Sequence, residues 1–314
     1  MPKLYIDEFV GISNRLEVLP LAFAIQKAYG HEIVLDWREL DSFKVDGTQR
    51  GKVFIRARYK ALRIRECTDE IFNGLANQKI ILRSLNGPDQ HIRPLYLESA
   101  RKVKISEDVR EGIENTFKPH RNRPIVAVHL RRGDFHMQSQ QSYDVSTEWP
   151  AVPDWWYSHA MRTVLKKQPD TIFFLAGNGD PSKLNNVIQD MPFFTLNLQS
   201  KYNAYKGEGH AAVSNPVGDL FALACCSDLI ATPVSGYSHW AANALGNPTQ
   251  CIVPIPNCTS ELPEIGLVSL HGHRLPDWRE SGRTGKYTHK LSETLEDLKI
   301  SGQLNTDWLN QQTQ

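Results

Sequence analysis

The sequence predicts an α/β protein made of two doubly wound, Rossmann-like domains facing a central cleft. Three observations lead there. The first 36 residues read as a β-α-β unit. The residues after 121 alternate strand and helix four times or more. Between the two stretches lies "KPHRNRP" (118–124), a proline-containing basic string of linker character. The expected boundaries are an N-terminal domain over 1–120, a C-terminal domain over 121–275 and a helical tail over 276–314.

In order, "KLYIDEFV" alternates as a strand, and "GISNRLEVLPLAFAIQKAYG" carries Leu16, Leu19, Phe23 and Ala24 at helical spacing. Gly30 is placed to cap that helix, and "HEIVLDW" is the next strand. Residues 40–120 are less regular. "GKVFIRARYKALRIREC" suits one or two strands, "DQHIRPLYL" another, and "ISEDVREGIENTF" a helix capped by Ser106. In the second half, "IVAVHL" is a continuous apolar run, as a central parallel strand requires. There follow helix "PDWWYSHAMRTVLKKQP", strand "TIFFLAGN", helix "DPSKLNNVIQDM" capped by Asp180, strand "PFFTLNL" and helix "NPVGDLFALACCS". Strand "DLIATPV", a loop and helix over "SGYSHWAANALG", and a final strand "TQCIVPIP" complete the domain. The tail holds one helix, "LSETLEDLKISGQL".

Composition removes several classes of function. A net charge of +1 gives no global field for nucleic acid; the basic excess is local, nine Lys/Arg against four Asp/Glu over residues 37–66. No run approaches the roughly 20 apolar residues of a membrane span. The N-terminus lacks the features of a secretory signal, which points to the cytoplasm or to a chain trimmed of an anchor. Five cysteines in no zinc spacing, two of them in the apolar "LACCS", read as free buried thiols. Eleven histidines give no HExxH, and GxGxxG, GxSxG and Walker A are all missing.

The charge that remains to be explained stands in "VHLRRGDF" (128–135). Arg131 and Arg132 follow a buried strand at its carboxyl end, where ligands of such sheets bind. Their planar, permanently charged forks suit phosphate oxygens, Gly133 allows a sharp turn, and Asp134 can brace one guanidinium. An Arg–Asp structural knot and an exposed adhesion-type RGD loop are the competing readings. In "ATPVSGYSHW", Ser235 and Ser238 stand at a helix start, as an anion site or as simple caps. Asp219 opens the preceding helix, as a cap or as a reader of donors on a base or sugar. "FVGISNR" places Asn14 and Arg15 where they could donate to a ligand, and "AGNGD" (176–180) is either a ligand-side turn or a plain βα turn.

Taken together, "GISNRL", "HLRRGD" and "DLFALACCSDLIATPVSGYSHWAANALG" resemble, in order and spacing, the GDP-fucose-dependent fucosyltransferase superfamily. That group includes α1,2- and α1,6-fucosyltransferases and protein O-fucosyltransferases, with an "HxRR.D" motif and a late "S.FS.WAA" stretch. The resemblance implies a GT-B fold and inverting transfer of a sugar from GDP-fucose to a hydroxyl of a glycan or lipid-linked acceptor. It implies no cofactor or obligatory metal. Arg131 matches the arginine that grips the diphosphate and supports its departure, and Arg132 its supporting neighbour. His129 matches a position near the guanine or the phosphates, and Asp219 the base- or ribose-contacting aspartate. Ser235 and Ser238 match the phosphate-contacting hydroxyl loop, and Asn14 the first-domain Gly-x-x-Asn element facing the sugar. Residues 37–100 match nothing in that group, and no general base is assigned. Use of another GDP-sugar, or binding of a nucleotide or glycan without turnover, are the alternatives.

Overall fold

The computed structural model describes residues 1–53, 60–132, 134–177, 188, 190–198, 215–287, 289–291 and 298–313. Gly133, the "NGD" of the 176–180 turn, nearly all of the helix expected over 180–191 and residues 54–59 of the 51–67 stretch lie outside them. The chain divides into two compact units, residues 1–107 with 312–314, and residues 108–311.

The first unit carries a five-stranded parallel sheet. Its strands are β1 (Lys3–Asp7), β2 (Glu32–Asp36), β4 (Thr48–Arg50), β5 (Leu62–Ile64) and β6 (Ile80–Leu82), in the order β4-β2-β1-β6-β5. A separate antiparallel pair joins β3 (Phe43–Val45) to β7 (Val103–Ile105). Leu4, Ile6, Ile33, Leu35 and Ile80 are fully buried, which is why these strands read as apolar runs.

The single helix expected after β1 is two, α1 (Ile12–Glu17) and α2 (Leu19–Tyr29). Pro20 has no N–H to give to the carbonyl of Leu16, so α1 stops and Pro20 starts the next helix. Gly30 ends α2 at φ +71°, its N–H returning to the Gln26 carbonyl at 2.8 Å. A short helix, α3 (Asp69–Asn73), precedes β6. "DQHIRPLYL", expected as a strand, is helical: α4 (Asp89–Ile92), a 3₁₀ turn (Arg93–Leu95) and α5 (Tyr96–Arg101). Its buried residues, Ile92, Leu95, Tyr96, Ser99 and Ala100, recur at helical and not alternating spacing.

In the second unit, α6 (Glu107–Phe117) leads to a seven-stranded sheet of order β10-β9-β8-β11-β12-β13-β14. The strands β8 (Ile125–Leu130), β9 (Ile172–Gly177), β10 (Phe193–Thr195), β11 (Asp228–Ile230) and β12 (Gln250–Pro254) run parallel. Helix α7 (Asp154–Lys167) lies between β8 and β9 in the chain. Its Trp156, Tyr157, Ala160, Met161 and Val164 form one buried face over Val126, Val128, Leu130, Phe173 and Leu175. Each large apolar side chain so buried contributes roughly 1.5–3 kcal/mol. Helix α8 (Pro216–Leu223) precedes β11, and α9 (Gly236–His239) runs into a π turn (Trp240–Ala244) before β12.

The strand "TQCIVPIP" is not the last. β13 (Ile265–Val268) and β14 (His289–Lys290) extend the sheet antiparallel beyond it, with helix α10 (Leu275–Thr284) between them. The one helix expected in the tail spans 291–304. Residues 292–297 lie outside the described set, but 298–304 form an extended strap. The buried Asp228 carboxylate holds that strap by the N–H groups of Ser301 (3.1 Å) and Gly302 (2.8 Å). All five cysteines are free and buried, and burial raises the Cys67 and Cys258 thiols to about 11. Among the described residues no helix is long and apolar enough to cross a membrane.

Candidate active site

The sheet order of the second unit fixes where a ligand can enter. The chain runs outward from β8 through β9 to β10, then returns to the other side of β8 with β11 and continues to β12. The connections after β8 and β11 therefore leave in opposite directions, which opens a crevice at their carboxyl ends. The segments at that crevice are 129–135 and 231–239.

β11 ends early. Its Ile230 pairs with Val128, while β8 runs two residues further with only β9 beside it, Leu130 opposite Gly177. Beyond Ile230 the chain turns at Thr232–Ser235, the Ser235 N–H returning to the Thr232 carbonyl at 3.3 Å. Pro233 sits at the second position of this turn and Val234, at φ +68°, at the third. A left-handed conformation is normally glycine's, and a β-branched residue there carries about 1–3 kcal/mol of strain. Val234 is fully buried and lies against Gly282, where even a Cβ would come within 2.8 Å of the Val234 nitrogen.

Ser235 caps α9, its hydroxyl accepting the Tyr237 N–H at 3.3 Å. Ser238, the other cap candidate, is fully buried, and its Oγ accepts the Thr232 N–H at 3.1 Å and lies 2.7 Å from His129 Nδ1. Burial, with Arg131 nearby, lowers the His129 pKa to about 3, so the ring is neutral. The His129 ring nitrogen and the Ser238 hydroxyl share this short contact, and either atom can be its donor. Tyr237 stacks on this imidazole, with ring centroids 4.9 Å apart. Its hydroxyl donates to the carbonyl of Pro216 at the start of α8. Asp219, one turn into α8, is 4% exposed.

The two arginines differ. Arg132 donates to Asp154 at the start of α7 and, from Nη1, to the Arg131 carbonyl at 3.0 Å; its guanidinium lies 5.5 Å from the centre of the Tyr157 ring. Arg131 pairs with Asp134 (2.6 Å), whose side chain is 46% exposed, and its buried Nε has no protein partner. The structure thus joins His129, Arg131, Arg132 and Ser238, with Ser235 in the same turn; Asp219 lies in α8, whose first residue, Pro216, accepts from Tyr237. Asn14 belongs to the first unit, half-buried in α1. Its neighbour Arg15, which the sequence offered as a ligand donor, is spent: it donates to Val10 O (2.9 Å) and to both carboxylate oxygens of Glu39 (3.0 and 2.5 Å).

Thr232, Tyr157, Asp154 and Tyr237 were not singled out by sequence. The available signal was a threonine at the end of a strand just before a proline. Asp144 makes a poor base, because the Ser146 N–H holds its carboxyl below the ordinary range.

Three solved structures show the same fold. NodZ alpha-1,6-fucosyltransferase co-crystallised with GDP aligns at TM-score 0.52 and 14% identity, over 86% of this chain and 99% of that one. POFUT1 in complex with GDP-fucose aligns at 0.50 and 10% identity, over 80% and 98%. A mutant of Arabidopsis thaliana FUT1 in complex with GDP aligns at 0.50 and 10%, over 81% and 70%. At these identities the likeness establishes the fold, the α/β class of GT-B fucosyltransferases that the motifs implied. No protein-family profile and no curated protein matches the sequence.

Proposed function

We propose that this protein is an inverting glycosyltransferase that binds GDP-fucose at the β8/β11 crevice and transfers fucose to a hydroxyl of a glycan or lipid-linked acceptor. The observation that carries this reading is Arg131: a guanidinium with an unpartnered, buried Nε, held at the carboxyl end of a central strand where the sheet order opens a crevice. Support for the donor comes from the motif resemblance and from the solved structures of like fold, which hold GDP or GDP-fucose.

In glycosyl transfer, negative charge builds on the departing diphosphate as the sugar becomes oxocarbenium-like. A fixed guanidinium aimed at that charge stabilises the transition state more than the ground state. Arg131 supplies it, and its pair with the exposed Asp134 is weak enough to yield to a diphosphate. Neutral His129 lies beside Arg131 without adding charge of its own. Ser235 and Ser238 shape the turn facing the phosphates, and Asp219 reads the base or ribose. The roles of these residues require no metal or other cofactor.

The test is calorimetric titration of GDP, with turnover of GDP-fucose assayed beside it. Wild-type chain binds GDP, and Arg131→Ala weakens binding and lowers turnover about 100- to 1000-fold, the usual loss for one such donor. Absence of GDP binding, or binding indifferent to Arg131, rejects the reading. Binding without turnover on any acceptor supports a non-catalytic protein, and a panel of sugar nucleotides identifies the donor sugar.

A further inference from the structure

We propose that Thr232 and Tyr157 are positioning residues for Arg131, their hydroxyls replacing the missing strand ladder and, with Arg132, clamping the Arg131 peptide at both its N–H and its C=O. This rests on the reading of Arg131 as the diphosphate ligand.

The need for the clamp comes from the topology. A central parallel strand normally has backbone partners on both sides, but β11 stops at the level of Val128. His129 and Arg131 therefore face a gap on that side. Buried backbone groups without partners cost about 1–3 kcal/mol each. The Thr232 hydroxyl fills the gap. It donates to the His129 carbonyl at 2.7 Å and accepts the Arg131 N–H at 3.2 Å, the two bonds a strand would have given.

Tyr157 completes it from α7. Its hydroxyl lies 2.7 Å from Thr232 Oγ1 and 3.1 Å from the His129 carbonyl. The phenol's single proton serves the His129 carbonyl or Thr232 Oγ1, so the two hydroxyls and that carbonyl form one closed set. Both residues are fully buried, so water cannot substitute. The Arg131 carbonyl is held from the other side by Arg132 Nη1, whose guanidinium rests over the same Tyr157 ring. Thr232 is itself fixed, its N–H bonded to Ser238 and its carbonyl closing the strained turn. Two hydroxyls from separate elements thus fill the gap beside the one arginine with donor capacity to spare, Thr232 meeting its N–H and Tyr157 bracing Thr232 and the His129 carbonyl. Misplacing a catalytic group by about 1 Å can cost on the order of 100-fold.

The experiment titrates GDP into full-length Thr232→Val, Thr232→Ser, Tyr157→Phe and wild-type chains, each well below its own melting temperature so that only folded protein is measured. Thr232→Val keeps the shape and loses the hydroxyl, and is expected to weaken GDP binding about 10-fold or more. Thr232→Ser keeps the hydroxyl and should restore affinity to near wild type. Tyr157→Phe should fall between them, and carries the test if Thr232→Val does not fold. Two results overturn the clamp while leaving the Arg131 reading intact: Thr232→Val and Tyr157→Phe both binding like wild type, or Thr232→Ser binding as weakly as Thr232→Val. Wild-type chain that fails to bind GDP overturns both.

Discussion

Arg131 and Arg132 are adjacent and chemically unequal. Consecutive residues at a strand's end point to opposite sides. Arg132 falls on the side of α7, where Asp154 and the Tyr157 ring engage it, and Arg131 keeps an unpartnered Nε. The sequence reading of Asp134 as a brace and of a structural ion-pair knot describe two different arginines here: Asp134 meets Arg131, and the more enclosed knot belongs to Arg132 and Asp154. Histidine burial carries a pH consequence. His129 and His239 are both fully enclosed with pKa values lowered to about 3, chiefly by desolvation, against an unfolded value of 6.5. The unfolded chain binds protons that the folded chain refuses, so stability is greatest above about 6.5 and falls as pH drops toward 3. Each histidine should cost about 2 kcal/mol between neutral pH and pH 5. His239, whose Nε2 donates to the His273 carbonyl at 3.1 Å, gives the cleaner probe. In His239→Gln the loss of melting temperature from pH 7.5 to 5 should be visibly shallower than in wild type; an equal slope would refute its neutral burial.

Among the elements, β8 and β9 show how close packing sets a residue that sequence leaves ambiguous. "AGNGD" reads equally as a ligand-side turn or an ordinary βα turn. The structure gives Gly177 a definite reason: a Cβ there would stand 2.5 Å from the Leu130 carbonyl oxygen, a backbone atom that cannot swing away. Gly177→Ala should therefore push the ends of β8 and β9 apart and destabilise the protein by about 1–3 kcal/mol, read by denaturant unfolding. Because Leu130 precedes Arg131, the same variant should also weaken GDP binding. Unchanged stability would mean the strands part more easily than their pairing suggests. The strands over "IVAVHL" and "TIFFLAG" and the helix between them were legible, because their apolar runs and helical periodicity are strong. The Pro20 break, the helical path of "DQHIRPLYL" and the antiparallel extension after β12 were not. In each case a short apolar pattern fitted more than one element, and packing against neighbours decided.

At the scale of the whole molecule, the two units have switch points of different character. In the first, β1 lies between β2 and β6, and the carboxyl end of β1 is occupied by Asp7 paired bidentately with Arg83 (2.9 and 2.5 Å). In the second, the corresponding place after β8 carries Arg131 with donor capacity left over. Hydrogen exchange with and without GDP should accordingly show slowed amides over 128–132 and 232–239. Slowing confined to residues 1–107 would move the nucleotide site to the other unit.

The sequence alone determined the α/β class and the motif segments, because these rest on apolar periodicity and short local strings. It also marked the charge at the end of β8 as the feature needing explanation. Only the tertiary structure decided which arginine keeps an unpartnered Nε, that Ser238 is a buried latch between His129 and Thr232, and that Thr232, braced by Tyr157, holds the Arg131 N–H. Those facts depend on β11 ending earlier than β8, and so on contacts such as Tyr157–Thr232 and His129–Ser238 that lie 75 and 109 residues apart in the chain. Local pattern carries no information about which distant hydroxyl will fill a gap in a sheet.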